Sequence, residues 1–207
     1  MKSSGFCVVL NIYYHMKHKL KICNSSPRDL EDLCRINADL FFGGDFAAGE
    51  AYVNFFDVDY KHSVKLVDNG KTVGIMTMCN DGIDRYCRGS FTKNEPKLSR
   101  LLKRYRGITG MSLGLDEKYR GHKLSDKLVE AMLDKCQNFD YIVIPVANNL
   151  NTHTYWARYG VEEVYSDDTN SFYLLVQNKE LKHKLDNIKG INKIAESVIN
   201  RYLLLTI

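Results

Sequence analysis

The stretch from Ile108 to Leu133, ITGMSLGLDEKYRGHKLSDKLVEAML, constrains the fold of this chain most, because it joins a strand, a basic turn and an amphipathic helix without a break. Ile108, Met111, Leu113 and Leu115 are interleaved with small residues, among them Gly110 and Gly114. That mixture suits a strand whose backbone is closely approached. Asp116 and Glu117 end the apolar run, and Tyr119-Arg120-Gly121-His122-Lys123 form a turn. Leu124, Leu128, Ala131 and Met132 then recur at helical spacing between Asp126, Lys127, Glu130 and Asp134, which predicts a helix starting near Leu124 or Ser125. The first amide N–H groups of such a helix have no intrahelical acceptor, and its dipole adds positive potential. The turn is therefore a ready anion site, with phosphate as the natural guest.

The flanking segments support a sheet around this unit. Lys19 to Cys23 suits a first strand, and Ser25-Ser26-Pro27 followed by Asp29, Leu30, Leu33 and Ile36 reads as a capped helix that ends at Phe41-Phe42-Gly43-Gly44. Residues 45–62 are aromatic-rich and fit no single class. Ser63 to Cys79 alternates around Asn69-Gly70, whose residues tolerate the positive φ of a tight hairpin. Asp140 to Val146 is apolar on both faces, as a strand beside Ile108–Leu115 in a covered sheet must be. A helix over Leu150–Tyr159 capped by Gly160 and two strands, Val161–Tyr165 and Ser171–Gln177, complete the pattern.

These segments together resemble the GNAT superfamily of N-acyltransferases over about residues 16–178. Leu113-Gly114-Leu115 stands at the family's Leu-x-Val strand, and Tyr119 to Ser125 at its Tyr-Arg-Gly-x-Gly-x-Gly turn, with Lys123 and Ser125 at the last two small positions. Asn149 to Val164, NLNTHTYWARYGVEEV, resembles the family's last helix, with Trp156 in place of the tyrosine whose hydroxyl often protonates the leaving thiolate and Val161 in place of phenylalanine. The resemblance implies a single α/β domain over 16–178, built on a mixed central sheet of about six to seven strands flanked by helices. The sheet splays between the strands ending near Leu115 and Val146. Residues 1–15 are then an N-terminal extension, with Met16 an alternative start, and residues 179–207 a C-terminal helical extension with an apolar stripe from Ile191 to Tyr202.

The implied activity is transfer of an acetyl group from acetyl-CoA to a primary amine by direct attack, without a metal. The resemblance assigns cofactor contacts to Leu113, Leu115, Arg120, Gly121, His122, Lys123, Leu124, Ser125 and Asn149, with the Leu115 N–H receiving the oxyanion. Indole N–H does not release a proton near neutral pH, so the acid passes to Tyr155, with Tyr159 as the other substitute. Glu50, Asp116 and His153, or a water they order, are the candidate bases. The acceptor, whether small molecule, peptide or protein lysine, stays open.

Composition adds the remaining expectations. Residues 85–106 carry eight Lys or Arg against one acid, Glu95. This is either a solvated helix face, a basic rim for anions, or the contact surface of a catalytically weak GNAT-fold module that binds a protein or nucleic acid. The net charge of +4 is mild and carries little information about partners. For the implied enzyme no nucleic-acid partner is expected, and it would act as a monomer or homodimer. No apolar run approaches the ~20 residues that span a bilayer. Cys7, Cys23, Cys34, Cys79, Cys87 and Cys136 lack paired close spacing and read as reduced thiols, which points to a cytoplasmic setting. His15 and His18 have no second ligand pair nearby.

Overall fold

The computed structural model describes residues 7–9, 20–149 and 152–188. Its strands are β1 (Cys7–Val9), β2 (Leu20–Asn24), β3 (Val64–Asp68), β4 (Lys71–Cys79), β5 (Gly107–Leu115), β6 (Tyr141–Ala147), β7 (Glu162–Ser166) and β8 (Asn170–Val176). Its helices are α1 (Leu30–Phe41), α2 (Phe46–Phe55), α3 (Ile83–Tyr86), α4 (Ser90–Asn94), α5 (Pro96–Leu102), α6 (Leu124–Lys135) and α7 (His153–Ala157), followed by α8 over residues 179–188. The strands form one sheet in the order β1-β2-β3-β4-β5-β6-β8-β7. Every neighbouring pair is antiparallel except β5 and β6. The seven strands from β2 to β8 are those the sequence predicts. The eighth comes from the segment read as an extension, which lays β1 along β2 with Cys7 opposite Cys23.

Local chemistry explains most boundaries. Asp29 Oδ2 accepts from the Ser26 amide at 2.8 Å, and Pro27 occupies the first turn, so a short 3₁₀ turn leads into α1 at Leu30. Asn69 and Gly70 take φ of 48° and 86° in the β3–β4 hairpin. The aromatic-rich stretch that the sequence left unassigned is α2, capped by Asp45 accepting from the Ala48 amide at 3.2 Å. Its sequence, FAAGEAYVNF, is apolar nearly all round and so shows no helical stripe. The last predicted helix is shorter than expected: α7 spans only His153–Ala157, and residues 150 and 151 lie outside the described set.

Three apolar clusters hold the layers together. α1 and α2 cover one face through Leu33, Ile36 and Val53 against Ile75, Cys79 and Met111. α6 covers the other through Leu124, Leu128 and Met132 against Val73, Met76 and Leu115. α3 to α5 and α8 pack Phe91, Leu98, Leu102, Leu181 and Leu185 on Val143, Phe172 and Leu174. The start of the C-terminal extension is therefore packed on the domain, while the stripe from Ile191 to Tyr202 lies outside the described residues.

β5 and β6 pair over only three positions, Gly107↔Tyr141, Ile108↔Ile142 and Thr109↔Val143, and then part. Against β4, Thr77 opposes Ser112 and Met78 opposes Gly110, leaving Met111 as an extra residue. Such a bulge bends its strand and raises its twist, which turns the end of β5 away from β6. Pro145, which has no N–H to donate, sits where β6 has lost β5 as a neighbour.

Candidate functional site

The parting of β5 and β6 opens a cleft of about 440 Å³. Met111 to Leu115 form one wall and Pro145 to Ala147 the other, while Asp39, Leu40 and Phe41 close it from the tip of α1. Arg120, Gly121, Ser125, Thr152, Tyr155 and Trp156 line the side of α6 and α7. Beyond Thr109, β5 has β4 on one side only, so alternate backbone N–H and C=O groups face the cleft.

The turn before α6 has the backbone that phosphate recognition needs. Gly121 holds φ 79°, and a Cβ built there would meet nothing within 4 Å. Lys123 is also left-handed, with φ 58° and ψ 20°, so the turn keeps a glycine-like conformation although the residue is lysine. No side chain caps α6, which leaves its first amide donors for another acceptor. Two anchors fix the turn. Tyr119 Oη donates to Asp68 Oδ2 at 2.6 Å across the end of the hairpin, and Arg120 Nε donates to the Leu115 carbonyl at 3.0 Å.

Leu113, Leu115, Arg120, Gly121, Ser125 and Tyr155, all expected from sequence, meet in this one cleft. His122 and Lys123 are exposed on the turn, and Asn149 is exposed just past β6, outside the lining set. Leu124 is buried in the α6 core cluster, so only its backbone can serve a ligand. Asp116 is committed elsewhere: its Oδ1 accepts from Arg35 Nη1 at 2.8 Å, and Arg35 Nη2 also donates to the Thr72 carbonyl. Neither Asp116 nor Glu50 lines the cleft, and the His153 side chain lies outside the described residues.

The two tyrosines of the last helical segment separate by environment. Tyr159 Oη donates to Asp126 Oδ1 at 3.1 Å, and Arg158 Nη2 bonds the same carboxylate at 3.0 Å, which ties α7 to the first turn of α6. Tyr155 instead lines the cleft, and its buried hydroxyl has no hydrogen-bond partner among the described residues. Burial pushes the Tyr155 phenol above the ordinary tyrosine range, so it stays a protonated donor.

Sequence reasoning missed Asp39, Phe41 and Ser112. Asp39 is the one carboxylate among the described lining residues. Ser112 is 6% exposed, and its buried Oγ, like the Tyr155 Oη, has no partner among the described residues. The only signal available was the Phe41-Phe42 pair at a helix end. The eight basic side chains of residues 85–106 are all exposed, but Lys97 to Arg106 sit on α5 and the loop entering the first residue of β5. The turn follows the far end of that strand, about 26 Å from its first residue at ~3.3 Å per residue, beyond the ~8 Å Debye length at physiological salt. That geometry argues against a basic rim for the turn.

No family model matches the chain, and no curated protein matches it. Solved structures do. The ribosomal-protein-S18-alanine N-acetyltransferase from Escherichia coli superposes with a TM-score of 0.53 at 12% identity, covering 77% of this chain and 94% of that one. An acetyltransferase of the GNAT family from Listeria monocytogenes gives 0.52 at 14% identity over 76% and 95% of the two chains. The PaiA N-acetyltransferase from Thermoplasma acidophilum, solved in complex with coenzyme A, gives 0.50 at 11% identity over 76% and 99%. The chain thus has the GNAT fold.

Proposed function

We propose that the chain is an N-acyltransferase that moves an acetyl group from acetyl-CoA to a primary amine by direct attack. The observation that carries this reading is a splayed β5–β6 cleft opening beside an uncapped helix N-terminus whose turn holds two left-handed residues. The PaiA structure, solved in complex with coenzyme A, supports the same direction. The turn fits a pyrophosphate, because nothing crowds Gly121 and Lys123 adds positive charge beside free amides.

When bound, acetyl-CoA supplies an acyl group activated as a thioester. The amides from Gly121 to Ser125 (His122, Lys123 and Leu124 among them) hold the pyrophosphate with Lys123 and Arg120, and Asn149 approaches from beyond β6. The open backbone edge of β5 at Leu113 and Leu115 aligns the rest of the donor, and the Leu115 N–H supports the carbonyl oxygen. Tyr155 Oη, kept protonated by burial, would donate a hydrogen bond to the departing sulfur, which needs little help because a thiol has a pKa of ~8.5. A bound amine must first lose a proton to water in the cleft, since a lysine-like ammonium has a pKa of ~10.4.

Acetyl-CoA at one hundred times its dissociation constant should stabilise the fold by ~2.7 kcal/mol in thermal-shift and calorimetric titrations, and free coenzyme A should bind to the same turn. Amine-dependent thiol release should accompany binding. No shift at millimolar ligand would sink the reading. It would promote a non-catalytic module that binds through residues 85–106, a surface set apart from the cleft.

A further inference from the structure

The cleft has two chemically different sides. The anion turn, Leu113 and Leu115 lie on the α6 face of the sheet. A Cβ at Gly114 would meet Leu40 and Ile36, so Gly114 faces α1. Ser112, two residues earlier on the same strand, shares that face. Ser112 lines the cleft, and its Oγ is buried and unpartnered among the described residues. A buried hydroxyl without a partner costs stability, so a site that retains one points to an absent polar guest.

The tip of α1 supplies the rest. Asp39 lines the same side with its side chain 52% exposed and only 3.8 Å from Arg35 Nη1, whose closer partner is Asp116. Phe41, 39% exposed, forms a three-ring patch with Phe42 and Tyr52 at centroid distances of 5.4 to 6.2 Å. Tyr52 Oη in turn donates to the Met111 carbonyl at 3.0 Å, which joins the patch to the bulge beside Ser112.

We infer that this side reads a monoamine carried on an apolar or aromatic arm, an inference that rests on the acyltransferase reading above. The Asp39 carboxylate pairs with the incoming ammonium, the Phe41 patch covers the arm, and Ser112 Oγ accepts an N–H of the amine where it meets the acyl group. A single lining carboxylate among the described residues provides no second anchor for a diamine.

The experiment uses the full chain, acetyl-CoA, and a series comprising 2-phenylethylamine, ethanolamine and putrescine. 2-Phenylethylamine should show the highest kcat/KM, by tenfold or more. Asp39→Asn should raise the amine KM about tenfold while leaving kcat and the acetyl-CoA KM within twofold. Ser112→Ala should lower kcat/KM for the amine about tenfold, yet leave the melting temperature unchanged or higher, which a structural serine would not do. An active parent that prefers ethanolamine or putrescine, or whose two variants match it, overturns this inference and leaves the acyltransferase reading standing. A parent that neither binds acetyl-CoA nor acetylates any of the three amines overturns both.

Discussion

Lys123 carries the clearest residue-scale conflict between side-chain type and backbone. A left-handed conformation costs an L-residue roughly 1–2 kcal/mol, whereas glycine there costs ~0.5–1 kcal/mol of extra chain entropy. Lys123→Gly should therefore change stability by less than ~1 kcal/mol in urea unfolding, with acetyl-CoA affinity held within a few-fold. Lys123→Glu places a carboxylate beside phosphates at a helix start and should lose more than tenfold in calorimetric affinity. Equal affinity for the parent and both variants would mean that phosphates do not lie on this turn. The sequence identified the turn but could not show that lysine had kept the glycine backbone, because φ at Lys123 is set by how β5 and α6 are anchored around it. The same holds for the tyrosines: Tyr155 and Tyr159 are equal as letters, and only Asp126 on α6 separates them.

Among the elements, the α1–α2 pair decides where the cleft ends. A Cβ on Gly49 would lie 2.4 Å from the Cys34 carbonyl and 2.8 Å from the Ala38 Cβ, so the two helices touch through a glycine. Gly49→Ala must push them apart, at a cost of roughly 1–3 kcal/mol measurable by urea unfolding. Because the tip of α1 carries Asp39 and Phe41, the same change should raise the amine KM while acetyl-CoA affinity, set at α6, stays within twofold. Loss of both affinities together would contradict the separation of the two sides. The α2 helix was illegible in sequence because its apolar residues surround it although only Gly49 and Val53 are buried, and periodicity needs a polar face to be seen.

At the scale of the whole molecule, buried thiols couple the packing to pH. Burial pushes Cys79 and Cys136 from 9.0 up to about 12. Between those values the unfolded chain has lost protons that the folded chain retains, so stability falls as pH rises, by up to ~1.4 kcal/mol per pH unit for each group. Urea midpoints should decline from about pH 9 upward, and less steeply in Cys79→Ala; a flat profile to about pH 10.5 would show the thiols are not sequestered in the folded state. The sequence by itself determined the order of β2 to β8 with α1 and α6 among them, the hairpin at Asn69-Gly70, and the turn before α6. Each of these is written in local periodicity and turn chemistry within a few residues. It did not determine the bulge at Met111, the union of Asp39, Ser112 and Tyr155 in one cleft, or the distance of the basic segment from that cleft. Those depend on strand register and on helices meeting across the sheet, and contacts between residues such as Asp39 and Tyr155, far apart in the chain, exist only once the fold has closed around them.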